Sequence, residues 1–138
     1  MKRQKVEDAL RWVIQSEKDL EAARYNFTGG LYNVACFLAQ QSAEKILKAF
    51  LIKNGDNTIW GHSVADLVDD CSHIDESFEE LFRIAGPLDK YYIPTRYPDG
   101  LPGGIPSNAY IEDDAKMAIK MAEEIISFVK SKENFFKG

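Results

Sequence analysis

Residues Leu31–Lys53 read LYNVACFLAQQSAEKILKAFLIK, and this stretch decides the architecture. On a helical wheel Leu31, Tyr32, Ala35, Ala39, Ala43, Ile46, Leu47, Ala49 and Phe50 cover one broad side, widened by Val34, Leu38 and Ile52. A helix that is apolar over most of its circumference belongs in the centre of a bundle. It does not read as a membrane span, because Gln40, Gln41, Glu44, Lys45 and Lys48 interrupt the apolar run between Val34 and Ile52. What remains is a polar wedge of Asn33, Gln40, Gln41, Glu44 and Lys48. Two readings of it stand open. It is a solvated strip carrying a favourable Glu44–Lys48 pair, or it faces a cleft, where each polar group needs a partner.

Outward from this helix the chain keeps the same period. Val6, Ala9, Leu10, Val13, Leu20 and Phe27 predict a long amphipathic helix from Lys5 to Phe27, stopped by Gly29-Gly30. Ser63 with Asp66 resembles a capping box for a short helix to about Cys71, and Ser77 with Glu80 repeats the signal for one through Phe82 to about Ala85. The last helix is expected from about Ile111 to Asn134, with Glu112, Asp113 and Asp114 suiting its positive end. No stretch alternates apolar and polar residues for long enough to make a strand. The expectation is an all-α, antiparallel bundle of three long and two short helices, forming a single domain over 1–138. Before its last helix runs a long Pro/Gly loop, Ile93 to Ala109, where Pro94, Pro98, Pro102 and Pro106 argue against helix. That loop is a spacer or a functional element.

Composition narrows the function classes. With 17 basic against 22 acidic residues the formal charge is −5, so an even positive coat for gripping DNA is absent. Between Asn54 and Phe82 there is no Lys or Arg, yet eight acidic residues fall there, which argues against that face meeting nucleic acid. Cys36 and Cys71 match no zinc spacing, and Cys36 reads as a small core residue. The opening MKRQKVEDALRW turns acidic where an export signal would be apolar, so a cytoplasmic protein is expected. No metal or other cofactor is called for: neither His62 nor His73 has a second ligand at helical spacing, and no phosphate-binding glycine loop or Gly-x-Ser-x-Gly occurs. His73 reads as a surface residue, whereas His62 stands just ahead of a helix start.

Two further features invite a partner. On the last helix Ile111, Ala115, Ala118, Ile119, Ala122, Ile126 and Val129 form the core face, while Met117, Met121 and Phe128 lie nearly opposite, as a second apolar stripe suited to a subunit or partner contact or to coverage by the Pro/Gly loop. The cluster Lys90-Tyr91-Tyr92-Ile93-Pro94-Thr95-Arg96-Tyr97-Pro98-Asp99 sets a planar guanidinium among tyrosine rings. It suits a nucleotide or an RNA end. It equally suits a loop pinned to the bundle by pairing Arg96 with an acid such as Glu44.

Three motifs resemble the HEPN domain family. Tyr32 to Ala49 is similar to its "y-x-A-x-F-x-x-Q-Q-x-A-E-K-x-L-K-A" helix, His62-Ser63 with Leu67 to its "H-s/d-l-x-x-L" element, and Tyr92 to Pro98 to its "Y-x-p-x-R-Y-P" loop. The resemblance implies a bundle of four or five helices that pairs as a homodimer, with a cleft near the contact. It also implies a nucleotidyltransferase protein partner in a toxin–antitoxin-like arrangement. Many members are metal-independent ribonucleases that carry Arg and His four to six residues apart. None of Arg3, Arg11, Arg24, Arg83 and Arg96 has such a His downstream, so ribonuclease chemistry is the disfavoured alternative and no catalytic residue is assigned. The favoured expectation is a non-catalytic dimeric module binding a nucleotide, a nucleotidyltransferase, or both. Gln41, Glu44, Lys48, His62, Tyr92, Arg96 and Tyr97 would line its cleft, with Lys48 and Arg96 neutralising phosphate and His62 the only acid–base candidate of the alternative.

Overall fold

The computed structural model describes residues 2–56 and 60–132. Three long helices carry it: α1 (Lys2–Thr28), α2 (Tyr32–Lys53) and, last in the chain, α6 (Glu112–Lys132). Between α2 and α6 lie α3 (Val64–Ser72), a 3-10 turn (Glu76–Leu81), α4 (Phe82–Asp89), a second 3-10 turn (Pro98–Gly100) and α5 (Pro106–Ala109). No strand occurs among the described residues, and none of their helices is long and apolar enough to cross a membrane. The expected end of the last helix at Asn134 lies outside the described residues.

The α1–α2 hairpin closes as its glycines require. Gly30 sits at φ 78°, and the Leu31 amide donates to Asn26 O at 2.9 Å. Only glycine takes that conformation at little cost. α2 then packs between α1 and α6. Ala35, Cys36, Ala39 and Ala43 are fully buried and let the helices approach closely. The seam with α1 is tight enough for Ser16 Oγ to donate to the Ser42 carbonyl at 2.6 Å. Larger side chains fill the far end, where the Phe78 ring lies 4.4 Å from Phe50 and 5.0 Å, edge-on, from Phe128.

Four local expectations are corrected. The Ser77–Glu80 box does not form; Asp75 is the cap, accepting from the Ser77 amide at 3.0 Å and opening a 3-10 turn. α4 therefore starts at Phe82 and runs four residues past Ala85, to Asp89. The Pro/Gly stretch is not free of helix, because Pro106 occupies the first position of α5, where its missing N–H costs nothing. Ile111, assigned to the core face of the last helix, is exposed just ahead of it.

Candidate functional site

Gln41, Glu44 and Lys48 recur three and four apart and share one side of α2. Their strip is not solvated: Glu44 is only 3% exposed and Lys48 only 6%. Each Glu44 oxygen is engaged. Lys48 Nζ donates to Oε1 at 2.8 Å, Gln41 Nε2 donates to Oε2 at 2.8 Å, and His62 Nδ1 lies 2.8 Å from Oε1. Lys48 also lies over the Trp12 ring of α1, 5.7 Å from its centre. Burying the carboxylate requires all of these partners, since an unpaired charge there would cost several kcal/mol (about 3–5).

His62 reaches Glu44 because two residues from other elements hold its loop. Fully buried Gln40 donates to the His62 carbonyl at 2.8 Å and to Asp89 Oδ1 at 3.3 Å. At the end of α4, Asp89 accepts from Ser63 Oγ at 2.8 Å, the Val64 amide at 2.7 Å and the Ala65 amide at 3.0 Å. The carboxylate thereby satisfies two N–H groups that the first turn of α3 leaves unpaired. Ser63 Oγ in turn accepts from the Asp66 amide at 3.1 Å, so this half of the expected capping box forms. His62, Ser63, Asp89 and Tyr92 line a shallow depression of about 300 Å³.

The tyrosine–arginine corner joins this network from the other side. Buried Thr95 donates through Oγ1 to the Tyr91 carbonyl at 2.6 Å, and Asn33 on α2 donates to the Thr95 carbonyl at 3.1 Å. The loop is thus fastened to the central helix. Tyr92 stacks on His62 at 5.1 Å and 17°. Arg96 has its guanidinium carbon 4.3 Å from the centre of Phe37, 4.6 Å from Tyr92 and 5.1 Å from Tyr97, while Nε donates to the Tyr92 carbonyl at 2.9 Å. No carboxylate pairs with it among the described residues, so the Arg96–Glu44 pairing is corrected: Glu44 is occupied by Lys48, His62 and Gln41. Lys48, expected to neutralise phosphate, instead neutralises Glu44 out of reach of a ligand.

The seven residues expected to line a cleft form one contiguous chain of contacts, Lys48–Glu44–Gln41 at its buried end and His62–Tyr92–Arg96–Tyr97 at its open end, and of them His62 and Tyr92 line the depression. Sequence reasoning missed Asp89 and Phe37. Asp89 was hidden by the early end assigned to α4. Phe37 carried a usable signal, since it stands four residues before Gln41 on the same side of α2.

The HEPN domain family model matches residues 9–132. The chain belongs to this family. Among solved HEPN-fold structures it resembles TT1696 from Thermus thermophilus, with 40% identity, a TM-score of 0.85, and coverage of 91% of this chain and 98% of that one. It also resembles ST0689, an archaeal HEPN homologue, at 41% identity, TM-score 0.74, and coverage of 92% and 96%. A protein of Methanocaldococcus jannaschii named "Putative toxin MJ1304" is 28% identical over 131 residues, covering 88% of this chain and 86% of that protein.

In this HEPN protein the second stripe of α6 is divided. Met117 is 55% exposed, but Met121 is buried at 7%, and Phe128 leans on Phe78 within the same chain. Both thiols are buried, and Cys36 is pushed up to about 12, chiefly by loss of hydration and then by Asp114. His73 ends α3 at the surface, as expected. One ligand atom each from Asp69, Asp70 and His73 lies within 4.8 Å of the others, which corrects the expectation that His73 has no second ligand at helical spacing: the two carboxylates stand four and three residues before it on α3. Burial and the neighbouring Asp56, Asp69 and Asp66 hold the Asp70 carboxyl above its ordinary value.

Proposed function

We propose that this HEPN protein is a binding module that takes the phosphate end of a nucleotide at Arg96 and acts beside a nucleotidyltransferase in a toxin–antitoxin-like pair. One observation carries the nucleotide reading: a guanidinium framed by three aromatic rings, tethered through Nε, with no carboxylate partner among the described residues. Rings fix its plane and leave its η edge for a bidentate anion. Tyr97, half exposed, offers a stacking face for a base. Gln41, Glu44 and Lys48 support this surface from below by holding His62 and, through it, Tyr92. The toxin-like name of the archaeal relative supports the paired arrangement. A homodimer belongs to the same reading, with Met117 the one member of the α6 stripe that projects freely.

Isothermal titration of the purified protein with nucleoside di- and triphosphates tests the reading. Arg96→Ala should weaken binding about 10- to 100-fold, the loss of a charge-assisted hydrogen-bonding group, with the melting temperature nearly unchanged. Equal affinity in the two proteins, or no heat with any nucleotide, overturns it. Co-purification of the native complex with a nucleotidyltransferase tests the partner.

A further inference from the structure

We infer that His62 is a phosphoryl-accepting nucleophile, activated by Glu44. The inference goes beyond nucleotide binding, since it concerns covalent capture by the protein itself. Glu44, already accepting from Lys48 and Gln41, faces His62 Nδ1 at 2.8 Å. A carboxylate accepts here, so in the neutral ring the proton sits on Nδ1 and the lone pair on Nε2. The ring cannot swivel freely, because it stacks on Tyr92 at 5.1 Å and 17°. The His62 side chain is nevertheless 58% exposed, against 4% for Glu44, and Nε2 has no partner among the described residues. A buried base thus orients an imidazole whose free nitrogen meets solvent beside the depression it shares with Ser63, Asp89 and Tyr92.

The chemistry this serves is attack on phosphorus. Arg96 touches the same Tyr92 ring, its guanidinium carbon 4.6 Å from the ring centre, so a cation shares the aromatic platform on which the imidazole stacks and favours an anionic donor there. The donor is an acyl phosphate, a phosphoramidate or a phosphoanhydride. The Nε2 lone pair forms an N–P bond while the bond from phosphorus to the leaving group breaks, and that group departs with the electron pair. The positive charge left on the ring is balanced by Glu44 through the Nδ1 proton. Glu44 is a positioning residue, and Lys48 holds its carboxylate in place through Oε1.

The chain carries its own control. His73, the only other histidine, ends α3 on the surface; one oxygen each of Asp69 and Asp70 lies within 4.8 Å of a nitrogen of its ring, but among the described residues no hydrogen bond fixes that ring to a buried carboxylate as Glu44 fixes His62. Native protein is treated with potassium phosphoramidate and, separately, acetyl phosphate, and the label on each histidine is quantified by peptide mass spectrometry under alkaline work-up. His62 should label about tenfold faster than His73, the scale on which a carboxylate behind an imidazole usually acts, and the preference should vanish in urea. Equal rates in the folded protein overturn the proposal, as does a preference that survives unfolding. Glu44→Gln should abolish the preference in a protein that still melts cooperatively; persistence there overturns the role of Glu44. The wild-type comparison decides the matter even where that variant fails to fold. Because the probes contain no nucleotide, failure here and failure of nucleotide binding at Arg96 are read separately.

Discussion

Glu44 shows how one side chain can be costly and indispensable together. It accepts from an ammonium and an amide and faces an imidazole, all within the protein. Glu44→Ala leaves Lys48 buried without a counter-charge and should lower stability by about 3–5 kcal/mol, measured as the shift in urea midpoint at constant m-value. Replacing Glu44 and Lys48 together by leucine or methionine should recover most of that loss, because no charge is then stranded. Recovery of less than half would mean that His62 and Gln41 draw more from the carboxylate than Lys48 does. The thiols report on another residue-level property. With Cys36 raised to about 12 by burial and Cys71 raised further in the same direction, neither should react with a thiol reagent at neutral pH until the chain unfolds.

At the scale of elements, α3 depends on a residue 25 positions away. Asp89 caps its first turn, receives Ser63 and anchors Gln40. Asp89→Ala removes a charged cap and leaves Gln40 short of a partner. The expected cost is about 1–3 kcal/mol, with amide exchange at Val64 and Ala65 rising more than elsewhere. The Glu76–Leu81 turn is pH-sensitive at its cap. Hydrogen bonds from Ser77 hold the Asp75 carboxyl below its ordinary value. A depressed value means that stabilisation is present above about pH 4 and is lost as the pH falls through the folded-state value. The protection factor of the Ser77 amide, its exchange rate corrected for the intrinsic pH dependence, should therefore fall on acidification in the native protein and be insensitive to it in Asp75→Asn.

Across the whole molecule, the bundle was legible because nearly every apolar residue of α1, α2 and α6 repeats at helical spacing, and local periodicity survives packing unchanged. The alanine face of α2 is the most diagnostic part of that signal. Ala39→Leu should cost about 1–3 kcal/mol in thermal denaturation, because close helix approach leaves no room for the added carbons. The candidate site was legible in membership but not in wiring. Gln41, Glu44 and Lys48 announce themselves as polar residues on an apolar helix, yet whether such a wedge meets water depends on what crosses it. His62 and Lys48 reach Glu44 from α3's approach and from α2 itself, and Asp89 comes from the end of α4, so burial follows from tertiary placement that no single segment encodes. The same applies to α6, where Met121 looked peripheral on a wheel but lies against its own chain.

The Asp89 carboxylate has a consequence for how the surface meets small anions. The amino end of α3, with its outward-pointing dipoles, is the sort of place where a sulfate or phosphate would ordinarily settle, and here the polypeptide has already filled it with an oxygen pair of its own. An incoming oxyanion finds that berth taken and must look to the uncompensated guanidinium a short way along the surface. Soaking crystals in sulfate should accordingly place density at Arg96 and leave the start of α3 bare, unless Asp89 has first been neutralised.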